Sequence, residues 1–273
     1  MTMTALAVVT AAAFGGGRAA AAAPGAMIAW GDDADGQLGN GAAGGHIVAG
    51  AVVNLTNVIQ MDGGREHVVA LKQNGTVWAW GDNQFGNLGN GTTTNRLRPV
   101  QVNGLANVVA IAGGRDHSLA VEKNGTVWAW GWNAYGQLGD GTKANRLVPV
   151  RVGTLTGVVK VAAGADHSVV LQSNGTVWAW GQNSFGQVGD GTGDGRTAPV
   201  KVIGVSKVVQ IGTGRLHTLA IESNGTVWAW GDNDFGQLGD ATRVNRLAPV
   251  RVRGVVGGEE VAGGRDYSVA LIS

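Results

Sequence analysis

The sequence predicts an all-β fold: a β-propeller of about five four-stranded antiparallel blades, with its ring closed by the N- and C-terminal strands. Three observations carry this. The chain repeats every fifty residues, with the string WAWG starting at Trp78, Trp128, Trp178 and Trp228 and a shorter copy at Ala29-Trp30-Gly31. Each repeat holds four short β-type segments divided by turn residues, and no window has the apolar spacing of a helix. The segment missing from the last repeat is present at the start of the first.

One repeat shows how each element is specified. Val108-Val109-Ala110-Ile111-Ala112 is a short run rich in β-branched residues, and Gly113-Gly114 ends it. His117 to Val121 alternates with period two, placing His117, Leu119 and Val121 on one face. Asn124-Gly125 follows, the strongest short hairpin signal, and predicts a type I′ turn with two positive φ angles. Val127 to Trp130 is the third strand, with Trp128 and Trp130 sharing a face. A loop from Asn133 to Gly139 leads to Pro149-Val150-Arg151-Val152. Proline has no N–H to donate, so this fourth segment suits an outer edge. Four strands in a repeat of roughly 40–50 residues make a propeller blade.

The same signals recur in register. Gly-Gly-Arg begins at Gly63, Gly113 and Gly263, with the variants Ala163-Gly164-Ala165 and Thr213-Gly214-Arg215. Asn-Gly-Thr begins at Asn74, Asn124, Asn174 and Asn224, and Arg-x-x-Pro-Val at Arg96, Arg146, Arg196 and Arg246. The Arg series is expected to tie the outer strand to backbone carbonyls or to stack on an aromatic ring. The last repeat stops at Tyr267–Ser273 without its Asn-Gly turn and Trp strand, which Ala26–Gly31 would supply. Val269, Leu271 and Met27–Trp30 should therefore share one sheet, leaving no open edges.

Composition narrows the function classes. Of 273 residues, 48 are Gly and only 14% are charged, with 20 basic against 19 acidic for a net charge of +1. That balance gives nucleic acid or an anionic membrane no electrostatic reason to bind. Cys is absent, which excludes disulfides, thiol catalysis and thiolate metal sites. The 44% hydrophobic content with ten Trp argues against disorder. Residues 27–273 read as a single propeller domain. Residues 1–26 form an Ala/Gly-rich leader that fits either a signal peptide, with Ala5–Phe14 as its apolar run, or a disordered tail. That apolar run is too short to span a bilayer. Localisation stays open between secreted or cell-surface and cytoplasmic.

The strings GTVWAWGDNDFGQLGDATRVNRLAPVRV and VAIAGGRDHSLAV resemble the regulator of chromosome condensation repeat family, and the resemblance covers about residues 27–273. It implies a β-propeller, most often seven-bladed, in which one terminal strand completes a blade. Some members are chromatin-bound guanine-nucleotide exchange factors. Others are secreted bacterial proteins, including an enzyme inhibitor, or interaction modules in larger chains. This chain departs from the pattern at its ends. Asp35 replaces the loop aromatic, His46 the repeated Arg, Ala49 the Pro and Tyr267 the repeated His, while Glu259 and Glu260 enter the inner strand.

His67, His117, His167 and His217 invite a metal reading, since His is a common ligand. They begin the second strand of each blade, whereas convergence on one ion needs side chains aimed at the axis. They are therefore expected to be structural hydrogen-bonding residues, with no metal and no cofactor. Asp116-His117-Ser118 contains triad residue types, but strand neighbours face opposite ways, and no catalytic residue is expected.

Strand alternation predicts the binding face. The Gly-Gly-Arg-Asp loops and the longer Asp/Asn/aromatic loops lie on one side of the ring, and the Asn-Gly turns on the other. Near the axis of the rich side should stand Arg65, Glu66, Arg115, Asp116, Trp132, Asp166, Arg215, Arg265 and Asp266. Arg and Trp are favoured interface anchors, so the expected partner is another protein and the expected role a non-enzymatic scaffold. The opposing expectations are exchange-factor action on a small GTPase and a purely structural repeat. The charged loops could also simply stitch neighbouring blades together. Homo-oligomerisation follows if five blades do not close alone.

Overall fold

The computed structural model describes residues 25–273, so most of the leader lies outside the described residues. The first strands are β1 (Ile28–Gly31) and β2 (His46–Ala51). A blade of β3 (Val58–Gly63), β4 (His67–Lys72), β5 (Val77–Gly81) and β6 (Arg96–Gln101) follows. The next is β7 (Val108–Gly113), β8 (His117–Glu122), β9 (Val127–Gly131) and β10 (Arg146–Arg151). Then come β11 (Val158–Ala163), β12 (His167–Gln172), β13 (Val177–Gly181) and β14 (Arg196–Lys201). The last complete blade is β15 (Val208–Thr213), β16 (His217–Glu222), β17 (Val227–Gly231) and β18 (Arg246–Arg251). β19 (Gly258–Gly263) and β20 (Ser268–Ile272) end the chain. Each complete blade is a four-stranded antiparallel meander, as the fifty-residue period predicts.

Within a blade the register is fixed by side-chain volume. Ser118 pairs with Trp130 and Ala120 with Trp128, so each small residue faces a large one across the ladder. The outer strand leaves register between Arg146 and Val150, where Pro149 cannot donate. The hairpin differs from the expected type I′ turn. Gly125 has φ +79°, and Asn124 is not among the residues of positive φ. Gly125 N–H donates to Glu122 O at 2.8 Å, Glu122 N–H to Thr126 O at 2.9 Å, and Thr126 N–H to Asn124 Oδ1 at 2.9 Å. This is a three-residue loop in which only the last residue is left-handed. The Asn side chain caps the turn, so its backbone need not leave the right-handed region.

The core lies between blades. Val69, Leu71 and Leu88 of one blade pack with Ile111, Ala120 and Trp130 of the next. Trp80, Trp130, Trp180 and Trp230 are at most 1% exposed. Each rests on a glycine of the preceding blade: a Cβ at Gly39, Gly89, Gly139 or Gly189 would lie 2.5–2.9 Å from the indole. Those seats are glycine because the ring occupies the space a side chain would need.

The closing pair of half-blades is a correction to the sequence expectation. β1–β2 and β19–β20 are separate two-stranded sheets. Val269 is 55% exposed, Leu271 57% and Trp30 64%. The alternation within a repeat specifies which strands make a blade but not the angle between blades, and it is that angle which decides whether two half-blades meet. The inner strands β3, β7, β11, β15 and β19 border an open axial cavity of about 690 Å³.

Candidate functional site

The rich face begins at the short loop between the first and second strands. After β7, Gly114 N–H donates back to His117 O at 2.8 Å, and the His117 ring folds against Gly114 so closely that a Cβ there would lie 2.1 Å from Cε1. The ring is thereby aimed at the next blade. His117 Nε2 meets Ser168 Oγ at 3.0 Å, and Ser168 Oγ–H donates to Gln137 O at 2.8 Å. Trp180 Nε1–H donates to the same carbonyl at 2.8 Å. The pattern repeats at His67/Ser118, His167/Thr218 and His217/Ser268. Burial, together with the neighbouring His67, His167 and Arg115, pushes the His117 imidazole down to about 3. The ladder of neutral histidines locks blade to blade. No carboxylate bonds to His117 Nδ1 among the described residues, whereas a general base is normally oriented by one.

The longer loop is held by one asparagine. Asn133 Oδ1 accepts from Leu138 N–H at 2.9 Å, and Asn133 Nδ2 donates to Thr142 O at 3.1 Å and Ala144 O at 3.0 Å. Arg146 Nε–H donates to Asp140 Oδ2 at 2.7 Å, and Arg196–Asp190 and Arg246–Asp240 repeat this contact. Arg146, Arg196 and Arg246 thus grip a carboxylate of their own loop rather than a backbone carbonyl or an aromatic ring, whereas Arg96, whose loop carries Asn90 at that position, does not. The loop folds back on the start of the outer strand, which brings the acid six residues upstream within reach. Asn133→Ala removes several bonds from a buried residue. We expect it to cost about 1–3 kcal/mol in a thermal or urea melt, with the Asn124→Ala turn variant costing less.

Four of the predicted residues come together around Arg115, which borders the axial cavity. Arg115 Nε bonds Asp116 Oδ2 at 2.9 Å, and its terminal nitrogen lies 3.0 Å from Asp166 Oδ1 of the next blade. The Arg115 guanidinium stands 4.6 Å from the centroid of the Trp132 ring. The loops carrying Arg115 and Trp132 therefore share one surface, as strand alternation predicts. Burial pushes the Asp166 carboxyl up to about 6 against the pull of Arg115. Arg65–Glu66 at 3.1 Å and Arg265–Asp266 at 3.3 Å form separate and more exposed pairs. Arg215 borders the same cavity, and its charge works to lower the Asp166 pKa.

Two further residues belong to this patch. Tyr135 meets Trp132 edge-on with centroids 5.4 Å apart, and Phe85 of the preceding blade lies 5.9 Å from it. The signal is in the repeat: Trp132 replaces the Asp of Asp82 and Asp232 beside a loop position that is aromatic at Phe85, Tyr135, Phe185 and Phe235. One Trp in that loop then joins the rings of two consecutive blades.

The RCC1-like domain model matches residues 2–273. The human WBSCR16 structure is 25% identical with a TM-score of 0.80, over 90% of this chain and 67% of that one. Saccharomyces cerevisiae Prp20p, described with its binding to Gsp1p and histones, is 24% identical with a TM-score of 0.75, over 90% and 64%. Yeast RCC1 (Prp20) bound to Kap60 is 25% identical with a TM-score of 0.77, over 90% and 62%. The chain thus spans less than two thirds of the yeast proteins. No curated protein matched the sequence.

Proposed function

This chain belongs to the RCC1-like domain family, and on that premise we propose that it is a non-enzymatic protein-binding scaffold whose loop-rich propeller face receives the partner. The observation that carries the reading is the Arg115–Trp132 stack, flanked by Phe85 and Tyr135 and bordered by Asp116 and Asp166. Such a patch offers large rigid rings for desolvation and a fixed guanidinium for orientation. Anchors of this type dominate interface energies. The ion pairs around it select among partners more than they add affinity.

The test uses Trp132→Ala alone and together with Arg115→Ala. Trp132 is half-buried and its side chain makes no hydrogen bond among the described residues, so its loss should lower the melting temperature far less than the loss of the buried Trp130. Capture of the partner from source-cell extract and secreted fraction should weaken by about 30-fold, the effect of one hot-spot anchor of roughly 2 kcal/mol. A lowered melt with capture intact would assign the charged loops to ring stitching, as the Arg115–Asp166 contact between blades allows.

The second reading is nucleotide exchange on a small GTPase, favoured by the likeness to Prp20p, which binds Gsp1p and histones. Release of a fluorescent guanine nucleotide from a panel of small GTPases separates the two. Accelerated release by this chain would replace the scaffold reading with that activity.

A further inference from the structure

Each long loop gathers oxygens around one buried amide nitrogen. Asn133 Nδ2 lies 3.3 Å from Asp140 Oδ1, 3.1 Å from Thr142 O and 3.0 Å from Ala144 O. Asn83, Asn183 and Asn233 repeat the arrangement at 2.9–3.3 Å. The carboxamide hydrogens are what let these oxygens approach one another. Every partner of these side chains lies within its own loop, so the centre is built from local residues alone.

The first loop puts a carboxylate at that centre. Asp33 stands at the repeat position of those asparagines and is 0% exposed. Its Oδ1 accepts from Leu38 N–H at 2.8 Å, as Asn133 Oδ1 does from Leu138 N–H at 2.9 Å. The planar group then sets Oδ2 where the other loops have Nδ2. Oδ2 is buried and has no hydrogen-bond partner among the described residues. The loop around it keeps its shape. Gly39 N–H donates to Gly36 O at 3.0 Å, Gly41 N–H to Leu97 O at 2.8 Å and Ala42 N–H to Asn40 Oδ1 at 2.8 Å. The equivalent bonds of Gly139, Gly141 and Thr142 are each 2.9 Å. Asn40 Oδ1 and Ala42 O therefore face Asp33 Oδ2, oxygen against oxygen.

The charges of the loop change with it. In the loops of Asn133, Asn183 and Asn233 an acid stands seven residues on, and an Arg neutralises it. The first loop has Asn40 and the exposed His46 at those places. Ala42 replaces the threonine whose hydroxyl also borders the centre in the other loops. Asp32 and Asp35 flank Asp33, tied to Gln37 and Asn95, and add negative potential. A buried carboxylate with neither a donor nor a cation beside it is costly.

We propose that this loop binds a hard divalent cation, calcium, through Asp33 Oδ2, Asn40 Oδ1 and the Ala42 carbonyl, with water completing the shell. A carboxylate, a carboxamide and a backbone carbonyl are the oxygen types calcium takes, at about 2.3–2.6 Å. Three carboxylates within four residues match a double charge. The ion supplies the positive group that carboxamide hydrogens supply in the other four loops. It also steadies the seat of the next blade, because Trp80 Nε1–H donates to Gln37 O at 2.8 Å within this loop.

Thermal melts of the 273-residue chain in a calcium chelator and in calcium test this. Calcium at about 10 mM exceeds the ~1 mM affinity of weak sites. It should raise the wild-type melt by about 2–4 °C. Asp33→Asn restores the amide of the other loops, so it should melt above the wild type in chelator and gain nothing from calcium. Terbium, which enters calcium sites, should luminesce on indole excitation through Trp80 in the wild type and not in Asp33→Asn. A wild type with no calcium gain and no terbium signal would overturn the proposal, leaving Oδ2 to a buried water. Equal gains in the wild type and Asp33→Asn would also overturn it, placing the ion elsewhere.

Discussion

Trp130→Ala is expected to destabilise the fold by about 3–5 kcal/mol, the range for deleting a buried aromatic from a packed core. Trp130 is fully buried between Leu88 and Val102 of one blade and the strands of its own. Its indole N–H donates to Asn87 O at 2.8 Å, and Ser118 Oγ–H donates to the same carbonyl at 3.2 Å. The substitution therefore opens a cavity and weakens the blade-to-blade lock together. Trp128→Ala, at a half-buried position two residues away, should cost distinctly less. Urea unfolding of the two variants checks this. Equal losses would mean that the core is not concentrated between the blades.

Acidification should have the second large effect. Burial pushes His67 and His217 down to about 4, and His117 and His167 to about 3. A free His in the unfolded chain titrates near 6.5. Between those values the unfolded state binds more protons, so stability rises with pH. The contribution is complete above about pH 6.5 and is lost as the pH falls toward 4 and then 3. Asp62 and Asp166, both raised by burial, act in the opposite sense, but four histidines outweigh two carboxyls. The melting temperature should fall steadily from pH 7 to pH 4, and His117→Gln should flatten the slope. A flat profile would mean that the imidazoles take up protons within the fold.

Much of the fold was legible because it is written five times over. The period, the four segments per blade, the inner position of the Val108–Ala112 run and the outer position of Pro149 all follow from local pattern. What was not legible depends on distance or angle. The histidine ladder joins residues fifty-one apart, as in His117 and Ser168, which no local spacing reveals. Counting strands carries no information on the angle between blades, and β1–β2 and β19–β20 stand as separate two-stranded sheets. The turn at Asn124 was assigned from residue type, whereas the side-chain cap decided its backbone. At the site, Trp132 is legible as a departure from the Asp32, Asp82 and Asp232 of other repeats. Its neighbours Phe85 and Tyr135 were hidden among the repeated aromatics because only the assembled blades bring them to it.

The central claim is that the face bearing Arg115 and Trp132 receives a protein partner. Placing the photo-crosslinking residue p-benzoylphenylalanine at Trp132, and separately at Asn124 on the opposite face, tests it most directly in the source cell. The account predicts a discrete crosslinked partner from position 132 and none from position 124. Crosslinks from position 124 alone, or the same products from both positions, would contradict it.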